Sequence, residues 1–315
     1  MLETKNKLLK IPIIGSLILL LTKIKLPGLE GLSLYDLLEL YVIGIVKGTL
    51  TTRASAVAFS FFMAIFPFLL FILVIIPYIP IDDFQTDFLA FLESFLPPQT
   101  SDFFYDNIFS NIKSRGLISS VFLVSLFLMA NGVNAVFSGF ENSYYTQLKR
   151  NMFRQYLYAL MVALILSFLL LITVAGITTF EIYILYNSAD ALENIGFKRE
   201  DSVSFLADAS KYLFFVLMIY LATATLYYFG TPERSATKFR SIGALFTTLL
   251  IMLNSYLFGI YINNFSQYNE LYGSIGALLI LLVYLWLNSN IILLGYELNS
   301  ALRKLRHNNN QNTEV

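Results

Sequence analysis

Six stretches of this chain, each about the 20 residues that a helix needs to cross a bilayer, run almost without charge and are separated by polar clusters. They are Ala54 to Ile79, Gly116 to Phe140, Gln155 to Phe180, Tyr212 to Gly230, Ser241 to Ile262 and Ser274 to Tyr296. The last two flank a tyrosine- and amide-rich turn. Between Ser241 and Tyr296 the only charged residue is Glu270, inside that turn. Pro67 falls in the middle of the first stretch, where it removes a backbone hydrogen bond and predicts a kink. Gly273 and Gly276 open the sixth and permit a close helix approach.

Shorter patterns flank these spans. Lys5, Lys7 and Lys10 precede an apolar run from Ile11 to Leu21, too short to cross and followed by no small-residue cleavage site, so it is expected to lie at the interface. Ser33 to Thr52 reads as an amphipathic helix capped by Ser33 with Asp36 three residues on. In the first long loop Phe84, Phe88, Phe91, Leu92 and Phe95 recur at helical spacing, and Phe103, Phe104, Ile108 and Ile112 form a second set. They cap the bundle or form a lid. The polar stretch from Asp190 to Asp208 would extend the fourth span. The expected division is therefore an interfacial segment over 1–53, a six-helix membrane domain over 54–300 and a polar tail over 301–315.

Composition supports the membrane reading: 57% of residues are hydrophobic, 13% are charged and mean hydropathy is +0.67, whereas about a quarter of residues are charged in soluble domains. The fold class is all-α and polytopic, with six transmembrane helices plus amphipathic interfacial helices. Charge sets the expected orientation. With the N-terminus inside, 16 of the 21 basic residues fall in the inner segments and 13 of the 21 acidic residues fall outside. The positive-inside rule then places both termini in the cytoplasm. The chain has no cysteine and one histidine, His307 in the tail, which removes thiol nucleophiles, thiolate metal sites and histidine-dependent hydrolysis. No H-E-x-x-H, G-x-S-x-G, G-x-G-x-x-G or P-loop pattern occurs. No enzyme activity, cofactor, metal or nucleic-acid partner is expected.

Polar residues inside spans are the candidates for function, because unpaired polar groups in hydrocarbon cost a few kcal/mol each. Asn131 and Asn134 share a face of the second span, Asn254 lies in the fifth, and Asn288 and Asn290 lie in the sixth. They are interhelical packing amides or the lining of a substrate path. Arg53, Glu141 and Glu297 all fall at the inner ends of spans and could pair as one cluster, a staple of three helices or an inner gate. The outer turn adds Asn263, Asn264, Tyr268, Asn269, Glu270 and Tyr272, which would satisfy re-entrant backbone or grip a polar headgroup.

The stretch N-F-S-Q-Y-N-E-L-Y-G-S-I-G-A, the leucine-rich span after it and L-L-G-Y-E-L-N (Leu293 to Asn299) resemble the signature of the YihY/BrkB family of bacterial inner-membrane proteins. R-A-S-A-V-A-F-S-F-F-M-A-I-F-P (Arg53 to Pro67), Gly139 to Tyr145, and Pro232 through Gly243 are similar to further family segments. The chain departs from the family at Phe59, Ser60, Phe61 and Phe62, where an aromatic pair would stand, and at Glu141, where relatives often carry an amide. The resemblance implies six helices in the bacterial cytoplasmic membrane, suspected transport, and an old association with ribonuclease BN for which these residues offer no chemistry. The expected function is a transporter, exporter or lipid-handling protein for a polar or amphiphilic substrate. A non-transporting scaffold is the alternative and a ribonuclease a distant third. Membrane lipids are the expected partners, and the oligomeric state is left open.

Overall fold

The computed structural model describes residues 12–25, 33–36, 38–39, 49–76, 79, 84, 88, 120–141, 143, 151–180, 199–231, 239–264 and 274–313. They form α1 (Pro12–Lys23), α2 (Thr49–Ile75), α3 (Ser120–Glu141), α4 (Met152–Thr179), α5 (Arg199–Gly230), α6 (Ile242–Asn264) and α7 (Ser274–Thr313). Among the described residues six helices, α2 to α7, are long and apolar enough to cross a membrane. The chain is an all-α, multi-pass membrane protein, as its long uncharged apolar runs predict.

Local chemistry sets the helix ends. Asn151 caps α4 by accepting from the Phe153 N–H, so the helix begins at Met152, three residues before the expected start of that span. Ser241 accepts from Ala244 and opens α6. Near the N-terminus Ser33 and Asp36 make the expected reciprocal cap: the Asp36 carboxylate accepts from the Ser33 backbone N–H at 2.7 Å, and the Ser33 hydroxyl accepts from the Asp36 N–H at 3.3 Å. Helix α5 starts at Arg199, so the part of the Asp190–Asp208 stretch from Arg199 onward extends the span, while 190–198 lie outside the described residues. Helix α7 runs on through the polar tail to Thr313. Pro67 lies buried inside a continuous α2.

The six helices close into a ring in chain order, with α7 returning to pack on α2. Helix α3 also touches α5 and α7, which places it toward the middle. The core runs along this contact. Phe140 of α3 stacks on Tyr296 of α7 with ring centroids 3.9 Å apart, and Tyr227 of α5 meets both rings edge-on or tilted. Phe84 and Phe88, from the long loop after α2, are also buried in the core. Large apolar side chains such as Phe59, Leu123, Ile172, Leu213 and Leu249 cover the outer surface. That is the arrangement expected where the surrounding solvent is itself hydrocarbon.

Hydrocarbon outside leaves little hydrophobic force to hold the helices together, so close packing must do it. The tightest crossing joins α6 to α7. A Cβ on Gly295 would collide with Thr247 Oγ1 and meet the Tyr227 hydroxyl at 2.5 Å, and one on Gly243 would collide with the Gly295 carbonyl. Only glycine fits at either position. Gly295→Ala is therefore expected to cost about 1–3 kcal/mol by overpacking, read as a lower unfolding temperature in detergent. Gly259→Ala on the same face-to-face pair of helices, where nothing lies within 4 Å, is expected to be neutral or stabilising by up to ~1 kcal/mol.

Candidate functional site

Two polar constellations stand out from the apolar bundle. The first sits where the start of α2, the end of α3 and α7 meet. Arg53 donates to Glu297 Oε1 at 2.9 Å and to the Gly139 carbonyl at 2.7 Å. The carbonyl belongs to the last turn of α3, which lacks intrahelical partners and carries partial negative charge, so a guanidinium is its natural complement. Ser143, just beyond α3, donates to Glu297 Oε2 at 2.7 Å. Both carboxylate oxygens are thereby engaged, and the pair is well shielded, with the Arg53 side chain 13% and that of Glu297 8% exposed. Gly139 makes the approach possible, because a Cβ there would meet Leu293 at 2.9 Å.

The sequence groups Arg53, Glu141 and Glu297 in one cluster, and the structure brings Arg53 and Glu297 together. The contribution of α3 comes through the Gly139 carbonyl and the Ser143 hydroxyl, while Glu141 lies half-buried at the helix end. A backbone carbonyl carries no signature in sequence, so that contact was illegible there.

The second constellation is a groove between α2 and α6 with α7 as its floor. It consists of two cavities of about 700 and 540 Å³ that share Asn254, Leu257, Trp286 and Leu287. Among the described residues no charged side chain lines either cavity. Polar atoms are few and linked across helices. Trp286 donates its indole N–H to Ser55 of α2 at 3.1 Å, Asn254 donates to Asn288 at 3.3 Å, and Ser255 shares a bond with the Tyr284 hydroxyl at 2.7 Å. Asn288 and Asn290 also donate to the carbonyls of Tyr284 and Trp286, four residues back. Leu34 and Leu38, from the segment capped by Ser33, close one end of the smaller cavity. Beside them Tyr35 is buried, and burial, then the charges of Glu39 and Asp36, raise its hydroxyl pKa.

Of the other sequence candidates, Asn131 lies exposed on the outer face of α3 and Asn134 half-buried. Neither amide makes a side-chain hydrogen bond among the described residues. Gly276 is buried in the first turn of α7. Asn263 and Asn264 close α6, but their side chains lie outside the described residues, as do Tyr268, Asn269, Glu270, Tyr272 and Gly273 altogether. The structure also shows polar contacts that the spans concealed. Tyr227 donates to the Ile292 carbonyl at 2.7 Å beside Thr247. Asn299 of α7 accepts from the Gly243 N–H at 2.8 Å and donates to Ser241 at 3.1 Å, capping α6 from a neighbouring helix. Asn299 ends the L-L-G-Y-E-L-N motif, and Gly295 and Glu297 lie within it. The motif thus holds the α6 crossing and the ion pair together.

Breaking a buried ion pair from one side leaves a charge without its partner, at a cost of about 3–5 kcal/mol. Arg53→Gln and Glu297→Gln are each expected to lose roughly that much, and the double variant no more than either single one. Thermal unfolding of the four purified proteins in one detergent checks it, and additive losses would contradict the coupling.

The sequence model of the family described as virulence factor BrkB matches residues 44–314 of this chain. A ribonuclease-like protein of Bacillus subtilis (strain 168), YfkH, is 24% identical over 255 residues, covering 80% of this chain and 90% of its own length. A UPF0761 membrane protein of Psychrobacter sp. is 35% identical over 77 residues, 24% of this chain and 14% of the relative. Another, of Idiomarina loihiensis, is 33% identical over 102 residues, 32% of each chain. No solved structure matches. With the family match running from before α2 to beyond the end of α7, this chain belongs to the virulence factor BrkB family of membrane proteins.

Proposed function

We propose that this chain is a transporter or lipid-handling protein of the bacterial cytoplasmic membrane, and that it takes an amphiphilic substrate from the bilayer into the groove between α2, α6 and α7. The observation that carries the reading is the groove itself: two adjoining cavities of about 700 and 540 Å³ with exposed lining residues such as Leu253, Leu257 and Val283. A cavity of that class, apolar with a few placed polar groups, is the usual form of a small-molecule site. Because it opens on the apolar side of the bundle, its ligand would arrive through lipid rather than through water.

The charge distribution supports both termini in the cytoplasm, with the Arg53–Glu297 pair at the inner interface. There the pair would hold α2 against α7, the two helices that bound the groove. A second reading, a membrane scaffold, draws support from Asn288 and Asn290, whose amides already donate to their own helix. Catalysis is not part of the proposal. The ribonuclease-like name belongs to the Bacillus subtilis relative, and this chain, with one histidine and no cysteine, suggests no equivalent chemistry.

Trp286 is the only tryptophan and lines both cavities, so its fluorescence reports the groove alone. In proteoliposomes doped with lipids brominated along the acyl chain, quenching of Trp286 is expected to saturate. Asn254→Leu is expected to weaken the saturable part about fivefold, the worth of one hydrogen bond. Lipid scrambling or solute flux above that of empty liposomes is expected in parallel. Linear quenching together with flux equal to empty liposomes would favour the scaffold, and nuclease activity that persists through purification would revive the third reading.

A further inference from the structure

Asn131 poses a problem that the bundle does not solve. It stands sixteenth of the 25 residues in the uncharged stretch from Gly116 to Phe140, about 14 Å from its nearer end at 1.5 Å per residue. That is the middle of a hydrocarbon core about 30 Å thick. Its side chain is exposed on the outer face and makes no hydrogen bond among the described residues. Neither headgroups nor interfacial water reach that depth, and an asparagine side chain is too short to snorkel out. Acyl chains offer it nothing. An amide there is costly unless another protein surface supplies a donor and an acceptor at the same level.

The geometry points to a second copy of this chain as that surface, packed through α3 about a two-fold axis along the membrane normal. An amide is self-complementary, donating through its NH₂ and accepting through its oxygen. A two-fold axis sets Asn131 against Asn131 at equal depth without any further coincidence, and two-fold symmetry is the commonest for oligomers. The neighbouring residues fit a helix seam. Val124, Asn131 and Ser138 recur every seven residues, with Phe127 and Asn134 between them, the spacing that lets two helices meet along a continuous stripe. Val124 is 55% and Phe127 61% exposed, and Ser138 is exposed while accepting from Gln155. An asparagine at the a position of such a stripe favours two strands in fixed register, and Asn131 holds that position with Asn134 one step along the same stripe. This face lies between α2 and α4, away from the groove, and the inference stands independently of the proposed function.

The absence of cysteine makes the test direct. V124C introduces the only thiol while keeping Asn131, and L249C does the same on the exposed face of α6. Oxidation with copper phenanthroline in proteoliposomes is expected to give a disulfide-linked dimer with V124C and none with L249C. Fluorescently labelled full-length protein at low density is expected to photobleach in two steps. Asn131→Leu is expected to weaken the dimer about three- to thirty-fold, the range of interhelical amide bonds in membranes, while Asn131→Gln retains it. Asn131 is exposed and makes no side-chain hydrogen bond among the described residues, so both variants are expected to unfold at the wild-type temperature. Single-step bleaching of the wild type at every density, equal crosslinking of V124C and L249C, or an undiminished Asn131→Leu dimer would each overturn the inference. So would crosslinking of V124C to another protein in native membranes without self-crosslinking.

Discussion

The constraint behind this fold is that no water reaches the middle of it. A hydroxyl or amide in a soluble core can fall back on solvent when packing is imperfect, whereas in hydrocarbon it must find its partner in the protein. The bundle answers at several scales. Ser167, Thr173, Thr223, Thr225 and Thr231 return their hydroxyls to carbonyls four residues back on the same helix. Tyr227 finds a carbonyl on α7, and Asn299 supplies α6 with a cap that its own sequence does not fully provide. The Arg53 guanidinium meets a carboxylate and a helix C-terminus at once.

Packing follows from the same constraint. Lipid tails are as apolar as leucine, so burial of leucine against leucine contributes little to association, and steric fit decides which helices meet. At the α6–α7 crossing, Gly243 and Gly295 bring the two backbones close enough for Asn299 and Tyr227 to make their contacts. Gly139 does the same for the ion pair. Glycine and polar side chain are thus paired devices here, one granting the approach that the other needs.

The spans, the Ser33 cap and the Arg53–Glu297 pair were legible in sequence because each depends on residue type along one dimension. Facing was not legible. In a soluble helix the apolar stripe marks the inside, but here both core and surroundings are apolar, so Phe59 on the outside and Phe140 in the core look alike in sequence. The same ambiguity hid the orientation of Asn131, which shares its helix with buried Val133 and Phe137. It also hid the groove, whose walls come from α2 and α6, distant in the chain. Ser143 and the Gly139 carbonyl were missed for another reason: neither residue type proclaims an arginine or carboxylate partner.

The ion pair also imposes a timetable on the chain's synthesis. Arg53 and Glu297 are 244 residues apart, so at about 5 to 20 residues per second the arginine waits about 12 to 50 s for its carboxylate to leave the ribosome. Throughout that interval α2 can be held by α3, whose Gly139 carbonyl is made only 86 residues after Arg53, but not yet by α7. The arginine therefore has its carbonyl before it has its counter-charge. Helix α7 is thus the one that neutralises the arginine of α2, and its arrival closes the ring of six.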